Sequence, residues 1–115
     1  GEMIVSPSEE TKSFPHDAYA NEEDLAKGIF NFEEVVNFSV KRITSSWAGL
    51  RTFAPDRTLV IGFDRDIPSF FWLAGQGGYG FQTSAAASKM ASEIILGEKS
   101  SFGQLQERVS PDRFK

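Results

Sequence analysis

The sequence has no cysteine and a single histidine, His16, among its 115 residues. Without thiols there is no disulfide framework, no thiolate metal site and no thiol nucleophile. His16 follows Pro15 in a polar stretch and has no second imidazole with which to share a metal, so it reads as a surface residue. The same shortage leaves no Ser/His/Asp or Cys/His set, which argues against a hydrolase. Basic runs are also missing, and the net charge is −4. A nucleic-acid partner needs a clustered Lys/Arg footprint, so none is expected. The longest apolar run, residues 70–74, falls far short of the roughly 18 residues of a membrane-spanning helix. The N-terminus shows no charged-then-apolar leader. A cytoplasmic setting is the expectation.

What is present is the composition of a folded domain. Apolar residues make up 40% and charged residues 24%, a balance outside the range of disordered chains. Phenylalanine is abundant, with eleven copies. The length suffices for one core but is short for an enzyme that must also enclose a dinucleotide, which points to part of a larger structure.

Met3-Ile4-Val5 reads as a brief strand that ends at Ser6-Pro7, where proline removes a ladder donor. Asn21 reads as a helix N-cap, because Glu22, Glu23 and Asp24 place negative charge on the first-turn amides. Leu25, Ile29, Phe32 and Val36 follow on one helical face. Gly28 inside that helix costs about 1 kcal/mol relative to alanine, so the helix depends on packing. Residues 38–44 are mixed and β-branched, consistent with a strand of weak register. Residues 59–63 and 70–74 are short continuous apolar runs and read as buried strands. Directly after the second stands Gly75-Gln76-Gly77-Gly78-Tyr79-Gly80, then Ala87, Met90, Ala91 and Ile94 at helical spacing, with Gly97 as the stop. Residues 102–109 form a last short helix before Ser110-Pro111.

Two features carry chemistry. The glycine turn delivers a strand into a helix N-terminus and aims backbone N–H groups, with the positive helix end behind them, at one point. That favours an anion or a developing negative charge. Its spacing also fits a dinucleotide fingerprint, but too little sequence follows for a further strand, crossover and acidic ribose partner. Glycines that merely permit tight helix–strand packing are the plainer reading. The second feature is Arg51, flanked by Trp47, Leu50 and Phe53. A guanidinium in such surroundings must pair, and its fork suits a carboxylate held in bidentate fashion. The alternative is a structural salt bridge to Asp56 or Asp64.

Together the motifs W-A-G-L-R-T-F-A-P-D-R-T-L-V-I-G at residues 47–62, F-F-W-L-A-G-Q-G-G-Y-G at residues 70–80 and S-P-D-R-F at residues 110–114 resemble the last part of the D-amino-acid oxidase family of FAD-dependent oxidoreductases. The nearest look is to glycine or D-amino-acid oxidases and dehydrogenases. The resemblance implies that Arg51 binds the substrate carboxylate. It also implies that Gly75, Gln76, Gly77, Gly78, Tyr79, Gly80, Phe81 and Gln82 border the flavin, and that FAD is the cofactor of the intact protein. Relatives often carry proline at the positions of Thr52 and Leu59 and histidine at that of Gln76. The family's N-terminal G-x-G-x-x-G and acidic ribose partner have no counterpart here, so a separate FAD-binding portion is expected as partner, and this chain alone is expected to be inactive and to hold FAD poorly.

The expected fold class is therefore α+β. Residues 1–69 correspond to the C-terminal part of a substrate domain with antiparallel strands and one helix. Residues 70–115 correspond to the last strand, glycine turn and helices of an FAD-binding domain. The strand would join a parallel sheet in the intact protein; without it, pairing between copies through exposed edges is expected. From a different functional class comes a second reading, a non-catalytic interaction module that kept the shape and lost the chemistry.

Overall fold

The computed structural model describes residues 2–114, which divide between two compact units, Gly1–Leu50 and Arg51–Lys115. The first unit contains one helix, α1 (Glu22–Glu33). As expected, Asn21 caps it: the backbone is extended there, and the side-chain carbonyl accepts from the Asp24 amide at 2.8 Å. Leu25, Ile29 and Phe32 lie half-buried on one face, while Gly28 is buried, and a Cβ on it would meet Pro7 at ordinary van der Waals distance. Lys27 pairs with Glu9 at 3.4 Å, tying the preceding segment to the helix.

The strands expected at residues 3–5 and 38–44 do not form. Met3, Ile4 and Val5 have no neighbouring strand among the described residues and are exposed. β-propensity expresses a fit to a pleated, half-buried surface, so without a partner it fixes nothing. Consequently α1 has no sheet beneath it within its unit, a correction to the expectation of a helix lying across antiparallel strands.

The second unit is a β-hairpin with helices. β1 (Val60–Phe63) pairs antiparallel with β2 (Phe71–Ala74), with Val60 opposite Ala74 and Phe63 opposite Phe71. Asp64 organises the connection: one carboxylate oxygen accepts from the Asp66 and Ile67 amides, and the other accepts from Trp72 Nε1 at 2.9 Å. α2 (Gly80–Leu96) lies over β1, and its Ala87, Met90 and Ala91 surround Ile61, which is 1% exposed. Val109 at the end of α3 (Gln104–Val109) closes this core. β1 is buried as expected, but β2 is only partly so: Phe71 packs against the core while Trp72 and Leu73 are exposed, because α2 lies over the first strand. The chain is thus a mixed helix-and-strand structure, as the α+β expectation has it.

Gly97 ends α2 in the left-handed conformation, φ 67°. The Glu98 amide reaches the Glu93 carbonyl at 2.8 Å and the Gly97 amide reaches Ile94 at 3.2 Å, a Schellman stop. The Glu93 carboxylate then accepts from the Ser101 amide and hydroxyl, at 2.9 and 2.7 Å, and holds the following loop against the helix. The last turn, a 3-10 helix at Pro111–Phe114, returns to β1.

Candidate functional site

The site is built from two segments 20 to 30 residues apart, the stretch around residues 51–57 and the glycine turn between β2 and α2. Ala54 to Arg57 is a β-turn closed by the Arg57 amide on the Ala54 carbonyl at 2.8 Å, with Pro55 presetting the first corner residue. The Gly77 amide donates to the Thr52 carbonyl at 3.0 Å, and the Tyr79 hydroxyl donates to the Arg57 carbonyl at 3.3 Å. These two bonds fasten the segments together.

Glycine is required where they touch. Gly75 has φ +67°, and a Cβ there would stand 3.3 Å from the Thr58 carbonyl oxygen. At Gly77, φ +52°, a Cβ would fall 2.5 Å from Phe53 Cε1. Gly78 is where the arginine arrives: a Cβ on it would lie 2.8 Å from Arg51 Nη1. The structure therefore brings Arg51, half-buried, directly against the glycine turn. Phe53 lies among these groups, with Arg51 Cζ 5.7 Å and Arg57 Cζ 4.5 Å from its ring centroid, and Tyr79 edge-on at 6.3 Å.

The amides of the turn are partly committed. Gly77 and Tyr79 donate within the protein, the latter to the Gln76 carbonyl at 3.1 Å. Gly80, Phe81 and Gln82 form the first turn of α2, where helix geometry supplies no acceptor four residues back. The N-cap residue Tyr79 gives no side-chain cap, and no acidic residue stands in that turn. This is the opposite of α1, whose first turn has both. Phe81 is 99% exposed beside these donors. An uncapped, acid-free helix start preceded by a glycine-rich turn favours an anion or a developing negative charge.

The FAD dependent oxidoreductase (DAO) family matches residues 1–94, which take in Arg51, the whole glycine turn and most of α2. This chain belongs to the D-amino-acid oxidase family of FAD-dependent oxidoreductases. For a D-amino-acid oxidase relative, the adjacency of Arg51 to Gly78 joins the two features that the sequence presents separately. A further depression, of about 330 Å³ and lined among others by Pro55, Trp72, Pro111 and Phe114, does not include Arg51 and takes in only Gly75 of the turn.

Sequence reasoning assigned no role to Arg113. In the structure its Nε and Nη2 grip the Asp56 carboxylate at 2.7 and 3.1 Å, while Nη2 also reaches the Thr58 carbonyl at 3.0 Å and Nη1 that of Ser110 at 2.9 Å. The pair holds the Asp56 carboxyl down at about 2. Asp56, one of the two partners open to Arg51 on sequence grounds, thus serves as the anchor of the C-terminal turn. No spacing in the sequence announces the pair, because its two members stand 57 residues apart.

Proposed function

We propose that this chain contributes the substrate clamp and one edge of the flavin cradle to an enzyme that oxidises the C–N bond of an amino acid or secondary amine. Arg51 binds the substrate carboxylate through its guanidinium fork, and Gly75 to Gln82 border the flavin. The observation that carries the reading is the seating of Arg51 Nη1 on Gly78: a cation for the substrate and a set of amides for the cofactor lie side by side.

FAD, when bound, would supply the two-electron hydride acceptor for conversion of the substrate C–N bond to an imine, which water would hydrolyse. Arg51 performs no proton transfer; it fixes where the α-carbon sits. The first-turn amides of α2 and the helix dipole behind them stabilise negative charge collecting opposite them, and they do so without reorganising. In this reading residues 1–69 belong to a substrate domain and residues 70–115 to an FAD-binding domain. The dinucleotide fingerprint and its ribose partner come from a separate FAD-binding portion, and the chain by itself holds FAD weakly and is inactive. The enzyme works in the cytoplasm.

The decisive experiment is steady-state kinetics on the chain co-expressed with the upstream coding sequence. Arg51→Ala should raise KM sharply and lower kcat, with kcat/KM down about a hundredfold or more, as expected when one partner of a buried charge pair is removed. Unchanged kinetics would reject the carboxylate role.

A further inference from the structure

We propose that Phe53 is a positioning residue for substrate recognition, its ring holding the Arg51 guanidinium at the glycine turn and the turn at the guanidinium. The inference rests on the reading of Arg51 as the carboxylate clamp. Four contacts converge on this one side chain. Arg51 Cζ lies 5.7 Å from the ring centroid, within reach of the cation–π attraction. Arg57 Cζ lies at 4.5 Å. Tyr79 meets the ring at 78°, edge to face. Finally, the ring edge fills the space a Gly77 side chain would need, with Cε1 2.5 Å from the position of a Cβ.

The chain on either side of the ring is fixed as well. The Thr52 carbonyl accepts the Gly77 amide at 3.0 Å, so the backbone before Phe53 and the turn above it move as one. An arginine has a long, flexible stem, and a clamp is useful only when its fork points in one direction. A ring beside the guanidinium favours one direction, because the cation is drawn towards the π surface, and at 5.7 Å Arg51 lies within that attraction. A smaller side chain at position 53 would free both the fork and the turn, and a displacement of about 1 Å at a reacting centre costs up to about a hundredfold in rate.

The test reads position first and activity second. In the 115-residue chain, NMR of Phe53→Leu should shift the Arg51 Nε–Hε resonance and the Gly77 and Gly78 amides, while the amides of Val60–Phe63 stay in place; Phe53→Tyr should leave all of them near their original values. Arg51 signals that do not move in a folded Phe53→Leu chain would overturn the proposal. A general loss of amide dispersion would overturn it too, since it would make Phe53 an ordinary core residue. In the co-expressed flavoprotein, Phe53→Leu should raise KM about fivefold, the equivalent of one cation–π contact, with a smaller change in kcat, and Phe53→Tyr should restore KM. If Arg51→Ala leaves kinetics unchanged while Phe53→Leu still displaces the Arg51 resonance, the clamp reading fails and the positioning of Arg51 by Phe53 stands.

Discussion

Two carboxylates hold loops, Asp56 within the 51–57 segment of the site and Glu93 on α2. Asp56 grips Arg113 through two hydrogen bonds, and its carboxyl is held at about 2 against an ordinary 3.8, chiefly by those bonds. A folded value below the unfolded one means stability that is complete above the unfolded pKa and is lost as pH falls through the folded one. Glu93 behaves in the same sense, lowered by the Ser101 amide and hydroxyl that it accepts from. Denaturant midpoints of the chain should therefore be flat above pH ~5 and decline between roughly pH 4 and pH 2. Asp56→Asn should remove part of that decline, and Arg113→Met should lower the midpoint at neutral pH while making the curve less steep in acid. An acid limb of the same slope in both variants would show that the pair is not coupled to folding. Gly77→Ala tests a different kind of contact. It combines a left-handed backbone with a collision against Phe53, and should cost about 1–3 kcal/mol in urea titrations. Gly49→Ala, where a Cβ would meet nothing within 4 Å, should be close to neutral.

At the scale of elements, α2 carries both structure and proposed function, and the two pull in opposite directions at its first turn. Its start has no capping side chain and no acid. Gln82→Glu should stabilise the chain by about 0.3–1 kcal/mol through the helix dipole. In the flavoprotein the same charge would stand where negative charge collects, so flavin reduction by substrate should slow. A thermal melt of the chain and stopped-flow reduction of the complex read the two effects separately, and equal signs in both would refute the placement of the flavin edge at this helix. Much of α2 was legible in the sequence: Ala87, Met90 and Ala91 at helical spacing became the core face, and Gly97 became the left-handed stop. Such features are local and need no knowledge of the rest of the chain. The strands at residues 3–5 and 38–44 were misread because a ladder depends on a neighbour that propensity cannot supply. Likewise, an apolar run at residues 70–74 does not reveal that Trp72 and Leu73 of β2 stay exposed. Arg113 and Asp56 lie 57 positions apart, and only the fold joins them. The adjacency of Arg51 and Gly78 was not visible in spacing at all; the family resemblance related the two only as groups on opposite flanks of one flavin, and their direct contact comes from the fold.

At the scale of the whole molecule the outer strand of the hairpin leaves an edge open among the described residues. Two strands are marginal in water without a third strand or a packed helix, and here α2 supplies the packing on β1. β2 has β1 on one side and no strand on the other among the described residues. The Asp64 amide bonds to the Phe70 carbonyl at 2.8 Å, and in an antiparallel ladder inward and outward positions alternate. Phe71 and Leu73 therefore turn their peptide groups to the open edge, and Leu73 is also 51% exposed. An edge of this kind pairs with whatever strand is offered. In isolation the strand offered is another copy, so light scattering of the chain alone should show concentration-dependent association. Leu73→Pro removes an outward donor without breaking a bond to β1 and should shift the chain towards monomer. Co-expression with the FAD-binding portion proposed above should do the same without any substitution if a strand of that portion occupies the edge. A chain that remains monomeric at high concentration, or a Leu73→Pro variant that associates as strongly as its parent, would place the self-association surface elsewhere and remove the open strand as the point where the two portions join.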